Sequence, residues 1–386
     1  MWRFVALGVV IIAVLAAGIS LIDTSGEGEV NASAVLSNAP LGTAGFARAM
    51  DAWDWQFPRD FGPHPEFQTE WWYYTGNLAT DDGRRFGYQF TIFRRAIEPQ
   101  AYVSDSEWRT NQIYMAHFTV SDIAGEHFYH AERFSRDSAG LAGAQSEPLY
   151  KVWLENWQVE ALDSQAAQTR ITAWTDEVAL DVTLEQVKPP ALQGQNGLSP
   201  KGPEPGNASY YYSLSRLLTD GTVTIGDETF EVTGNTWKDH EFSTSALSAG
   251  SLGWDWFGLI FDDGRELMIG QIRQQDGGIE PAFGGLLINA DGSTHYLPSD
   301  TFTITPTGSW TSPHSGGVYP HGWQVQIHDT GAGEPLNFTA TPLLEDQELY
   351  GSGITYYEGA VRIDGEVTGF GYVELTGYVD ALTGRF

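Results

Sequence analysis

The chain of 386 residues contains no cysteine. That excludes disulfides, thiolate catalysis, sulfur-ligated metal and a lipid anchor on an N-terminal cysteine. Basic residues are few: 20 lysines and arginines stand against 50 acids, a net charge of -30. Such a surface repels a polyphosphate instead of exchanging counterions with it, so no nucleic-acid partner is expected. Helical periodicity is sparse. There is no HExxH, G-x-S-x-G, P-loop or GxGxxG, so zinc proteolysis, serine hydrolysis, nucleotide hydrolysis and dinucleotide redox chemistry lack their usual signals. The histidines are scattered, and His127 and His130 would chelate only with a third ligand from elsewhere. Neither a metal nor a cofactor is expected.

What the chain does have is glycine (44 residues) and aromatic rings (13%), with only 18% charged residues. That mixture suits a β protein with many turns and a ligand-filled interior. The length exceeds what one hydrophobic core usually serves, so two domains are expected.

The N-terminus reads "MWRFVALGVVIIAVLAAGISLI". One arginine followed by an apolar run from Phe4 to Ile22 predicts a helical signal peptide or membrane anchor over 1–22, with possible cleavage after Gly18 or Ala34. Either form exports the rest, placing it on the periplasmic side of the cytoplasmic membrane or outside the cell, with membrane contact through this segment. Residues 23–50 read as a flexible tether.

From Ala52 onward, short alternating runs are separated by glycine and aspartate turns, the pattern of a sandwich or an antiparallel barrel. Two internal echoes set the domain count. "TEWWYYTGNLATDDGRRFGYQFTIFR" and "GWDWFGLIFDDGRELMIGQIR" each place an aromatic cluster, a DDGR turn and a strand ending in arginine in the same order. "TFEVTGNTWKDHEF" and "DGEVTGFGYVELTGY" then align Trp237 with Tyr372 and Asp239 with Glu374. Two related units, 51–246 and 247–386, follow. Between Lys188 and Ser209 a stretch rich in proline and glycine is too long for an ordinary connection, and reads either as a lid or as an excursion.

On a strand, Glu70, Trp72, Tyr74 and Gly76 share one face, while Thr69, Trp71, Tyr73 and Thr75 share the other. If the first face points into a barrel, the rings exclude water and raise the Glu70 pKa toward that of a proton donor. If it meets Arg94 or Arg95, Glu70 is a structural ion pair. In "GNTWKDHEF", Trp237, Asp239 and Glu241 alternate onto one face and Lys238, His240 and Phe242 onto the other. The two carboxyls repel as anions, so one of them either keeps its proton near neutrality or pairs with an arginine. His240 faces away from them. Trp254 and Trp256 share a face in "GWDWFGLIF", and "YYYSLSRL" supplies Tyr211.

Together, "HPEFQTEWWYYTGNL", "GLSPKGPEPGNASYYYSLSRL", "GNTWKDHEF", "GWDWFGLIFDDGRELMIGQIR" and "YYEGAVRIDGEVTGFGYVELTGY" resemble the carotenoid 1,2-hydratase superfamily, and most closely its AttH-like branch. The resemblance implies an all-β fold of two tandem lipocalin-like antiparallel barrels with a ligand cavity. It also implies cofactor-free water addition to a C=C bond of an isoprenoid or polyene, or else a carrier of a hydrophobic small molecule that works with a membrane transporter. Protonating a trisubstituted alkene leaves a tertiary carbocation, which calls for a neutral carboxylic acid and aromatic faces. On this reading the catalytic residues are Glu70, Asp239 and His240, and the ligand lies against Trp72, Tyr74, Tyr211, Trp237, Trp254 and Trp256. Where the hydratases carry a further aspartate on the strand after the next turn, this chain has Met268, Ile269 and Gly270.

Overall fold

A computed structural model describes residues 42–382, apart from 101–105, 107, 245–246, 332 and 352. The apolar segment 1–22, expected as a helix, lies outside the described residues. So does most of the tether. Among the described residues no helix is long and apolar enough to cross a membrane.

The architecture is all-β and antiparallel, with only two three-residue 3-10 turns among the described residues, Arg59–Phe61 and Ser138–Gly140. A thirteen-stranded sheet takes up the chain from Thr69 to Ser243, and a ten-stranded sheet takes it up from Ser251 to Leu375. In each sheet the first and last strands in chain order lie side by side. Thr69–Ala79 pairs with Glu228–Ser243, and Ser251–Phe261 pairs with Gly369–Leu375. Each sheet curls into a nearly closed barrel, which leaves little of the unpaired edge that invites aggregation.

The repeated DDGR string is the same turn twice. After Thr69–Ala79 the amide of Thr80 bonds the Arg84 carbonyl, and after Ser251–Phe261 the amide of Phe261 bonds the Arg265 carbonyl, both at 3.0 Å. Gly83 and Gly264 sit at φ of 91° and 90°, a left-handed conformation that a side chain resists. The arginine closing each following strand also repeats its role. Arg94 meets Glu70 at 2.9 Å, and Arg273 meets Asp255 at 3.0 Å.

Strand Thr69–Ala79 is buried along most of its length on both faces, because each face meets a different core. Trp72, Tyr74 and Leu78 fill the first barrel together with Phe90, Phe118 and Trp157. Phe257, Leu259 and Phe261 fill the second with Trp323 and Phe338. Tyr73 belongs to a third cluster with Tyr211, Trp237, Trp256, Met268 and Tyr372, which lies at the seam between the sheets. There Trp256 meets Tyr73 and Trp237 edge-on, at ring separations of 5.3 and 6.1 Å. Each such pair contributes about 0.5–1.5 kcal/mol beyond its buried area.

A polar clamp pins the seam. Glu266 of the second sheet is fully buried and accepts from Lys188 at 2.7 Å and from Arg216 at 2.6 Å, both on the first sheet's side. Arg216 reaches it from a register shift between Leu214 and Leu217 that interrupts strand Ala208–Ile225. The segment after Lys188 runs along that same strand: Ala191–Leu192 and Leu198–Pro200 both pair with Ala208–Ile225. It is therefore neither a free lid nor a simple excursion, but a strap added to the sheet.

Candidate functional site

Because side chains alternate along a strand, the face of Thr69–Ala79 that is not in the barrel core must point at the seam. Trp71 and Tyr73 do so. They open on a cavity walled from the other sides by Tyr211, Trp254, Trp256 and Phe283. The strand beside them, Glu228–Ser243, contributes Asp239 and Glu241 to the same cavity, and Gly369–Leu375 contributes Glu374. Lys201, from the strap, completes the polar part of the wall, with His117 and Tyr356 on another side.

Asp239 is 4% exposed and tightly held. Its Oδ2 accepts from the Tyr211 hydroxyl at 2.5 Å, and its Oδ1 accepts from Trp237 Nε1 at 2.7 Å and from the Ser213 hydroxyl. Trp256 Nε1 in turn donates to the Tyr211 oxygen at 3.1 Å. Burial pushes the Asp239 carboxyl up to about 7, against the pull of those three donors. Glu374 is pushed up to about 8, chiefly by burial, with the Asp239 and Glu241 carboxyls adding to it and a Trp254 hydrogen bond opposing. Behind it, on the neighbouring strand and directly opposite, lies the fully buried Glu358, raised well above the carboxylate range by burial and by Glu374. Tyr73 donates to Glu358 at 2.8 Å. Glu241 differs from these acids because Lys201 Nζ lies 2.9 Å from its Oε1.

Glu70 is elsewhere. It lies on the barrel-core face, wholly buried, and takes Arg94 Nε at 2.9 Å, His64 Nδ1 and His240 Nε2 at 2.8 Å each, and the His64 amide at 3.0 Å. Burial alone would raise its pKa, but Arg94 and the two histidines outweigh burial and hold it below the usual carboxylate range. The expectation that Glu70 is a proton donor therefore gives way to the ion-pair alternative. His240 belongs to the same cluster and not to the cavity. Burial lowers its pKa to about 4, and its Nδ1 meets the Tyr212 hydroxyl at 3.0 Å. The facing ligand atoms of His64, Glu70 and His240 lie within 4.8 Å of one another, as metal ligands would. Arg94, however, already occupies one Glu70 oxygen, and the histidine nitrogens are engaged with the other, so the donor set is spent internally.

Of the expected ligand contacts, Tyr211, Trp254 and Trp256 line the cavity. Trp237 stands behind Asp239 as its donor. Trp72 and Tyr74 are corrected: they are packed in the first barrel, where Trp72 donates to the Phe61 carbonyl at 3.0 Å and Tyr74 bonds Tyr150 at 2.9 Å. Sequence reasoning overlooked Trp71, Tyr73, Lys201 and Phe283. Glu374 had a usable signal, since the second echo aligned it with Asp239.

Two lipocalin-like barrels side by side around an aromatic, acid-bearing cavity define an all-β double-barrel fold. The family model described as AttH-like matches residues 48–378, and the chain belongs to that family. Among solved structures, an AttH protein from Nitrosomonas europaea is 34% identical with a TM-score of 0.76, covering 86% of this chain and 100% of its own. Kievitone hydratase from Nectria haematococca shares the fold at 17% identity and a TM-score of 0.63, covering 89% of this chain and 99% of its own. CghA does so at 11% identity and a TM-score of 0.52, covering 88% and 98%. Among curated proteins none matches.

Proposed function

We propose that the protein binds an apolar, alkene-bearing chain between its barrels and adds water across a C=C bond without a cofactor. The observation that carries this is the convergence of two carboxyls, the buried Asp239 and the partly buried Glu374, on one aromatic cavity. Their surroundings divide the work. Three donors point at Asp239 and favour its anion, whereas Glu374 has like-charged neighbours that favour its neutral form. Glu374 is thus the proton donor and Asp239 the base.

The steps balance. Glu374 gives its proton to one alkene carbon as the π bond breaks, leaving a tertiary cation on the other. Ring faces of Tyr73, Trp254 and Trp256 lower the energy of that cation by cation–π attraction. Water forms the C–O bond and its proton passes to Asp239. Proton return from Asp239 to Glu374 resets the pair. Export to the outer side of the cytoplasmic membrane, from the apolar N-terminus, is part of the same proposal.

A second reading, a non-catalytic carrier that passes a lipid-like molecule to or from a membrane transporter, draws on the chemically inert part of the wall: Leu247, Ile272, Ile354 and Leu382. Incubation with acyclic carotenoids followed by mass analysis separates the two. A product heavier by one water supports the hydratase reading. Bound but unchanged polyene leaves the carrier.

A further inference from the structure

Among the residues that line the cavity, three carboxyl groups, Asp239, Glu241 and Glu374, face one lysine, Lys201. A pocket built only to hold a neutral hydrocarbon gains nothing from that imbalance, because each buried carboxyl costs desolvation energy. The protein also shows what such a wall attracts. Lys201 Nζ is held 4.5 Å from the centre of the Phe283 ring and 5.2 Å from that of Tyr211, while paired to Glu241 at 2.9 Å. Here an ammonium sits over aromatic rings and against a carboxylate, which is the recognition pattern for organic cations. Elsewhere on the cavity wall the same ingredients recur in Asp239 and Glu374, with the rings of Trp71, Tyr73, Trp254 and Trp256. The described residues of the wall place no second lysine or arginine there.

We infer that the cavity recognises a positive charge carried on an apolar chain, with the charge seated among Tyr73, Trp254, Trp256, Asp239 and Glu374. This rests on the reading of the inter-barrel cavity as the ligand site and adds to it the class of ligand held most tightly: an alkylammonium, the stable counterpart of a chain bearing a cationic carbon. An alkyl anion has no place in it. A neutral chain of the same length enters but lacks the charge term.

The test compares octyltrimethylammonium, octanol and octanoate on the full chain, by calorimetry and by quenching of tryptophan fluorescence. The ammonium is expected to bind at least about tenfold more tightly than octanol, equivalent to about 1.4 kcal/mol, and octanoate to bind more weakly than either. Lys201→Met frees Glu241 and should strengthen ammonium binding by a larger factor than octanol binding. Asp239→Asn, which removes the carboxylate that three donors hold as an anion, should weaken ammonium binding selectively. Octanol binding as tightly as the ammonium overturns the inference and leaves the cavity reading intact. Failure of all three probes to bind overturns both. Because the comparison of head groups is made on the unaltered protein, it does not depend on either variant folding.

Discussion

Asp239 and Glu374 occupy matching places in the two sheets. Asp239 lies opposite Tyr73, on the first strand of its sheet, and Glu374 lies opposite Trp256, on the first strand of the other. A duplicated unit thus presents the same position twice to one cavity, as aspartate from one half and glutamate from the other. On the proposed reaction, one shared chamber between two barrels brings together an acid and a base that lie on different sheets.

The proposed division of roles predicts a bell-shaped pH dependence of kcat/KM for water addition. The base must be ionised and the acid protonated, so activity should be greatest between about 7 and about 8, the values toward which burial moves Asp239 and Glu374. The two limbs belong to the pair and not to either residue alone. Asp239→Asn should abolish the acidic limb and Glu374→Gln the alkaline one, each lowering turnover by roughly 10²–10⁴-fold. Rates across pH 5 to 10 check this. A flat profile would falsify the assignment.

Glu70→Gln tests a structural role. Removing one partner of a buried pair leaves Arg94 uncompensated, at a cost of about 3–5 kcal/mol. The folded-state pKa of Glu70 is depressed, so its stabilisation is fully present above the ordinary carboxylate range and is lost progressively as pH falls from there toward the depressed folded value. Urea unfolding at pH 7 should show the full deficit, and the difference between the two proteins should narrow steadily as the pH is lowered below the ordinary carboxylate range. A variant as stable as the parent at pH 7 but inactive would restore Glu70 to the chemistry.

Alternation in "TEWWYYTGNL" and "GNTWKDHEF" is legible from spacing alone, and the residues that share a face in the structure are the ones that alternation groups. Which face meets the ligand is not legible, because both faces carry rings and both are buried. In a protein with one barrel the inward face would hold the ligand, and Glu70, Trp72 and Tyr74 would be its walls. Here the inward face is filled by its own side chains, and the outward face meets the second barrel. Lys201 was hidden for a different reason. A proline- and glycine-rich stretch shows no period, so its pairing with strand Ala208–Ile225, which brings the lysine to Glu241, becomes visible only in three dimensions.

The seam itself is open to test at Glu266. Glu266→Gln strips the countercharge from Lys188 and Arg216 together. Each barrel keeps its own core, so the expected result is a cavity that loosens before the barrels melt. Octanol affinity should fall by at least about tenfold, equivalent to about 1.4 kcal/mol, and the unfolding midpoint should drop. Hydrogen exchange should rise in strand Glu266–Gln274 while the centre of the first barrel stays protected. Unchanged affinity and exchange would mean that the aromatic contacts alone hold the seam.

Lys238 poses a contest between two opposed effects. It is buried in the first barrel, with its ammonium 4.8 Å from the Phe61 ring centre, 4.7 Å from that of Tyr150 and 3.2 Å from the Tyr212 oxygen. Burial lowers its pKa to about 7. Ring contacts return about 0.5–2 kcal/mol, while the desolvation of an ammonium costs several, so Lys238→Met should stabilise the fold by about 1–4 kcal/mol at pH 6. The sign of the pH dependence follows from proton counts. Between about 7 and the ordinary lysine value the unfolded chain holds a proton that the folded chain has released, so the parent grows more stable as pH rises. The advantage of the methionine variant should therefore shrink toward pH 10, as followed by urea unfolding at intervals of one pH unit. Destabilisation at every pH would show that the rings, and not the loss of water, dominate at this position.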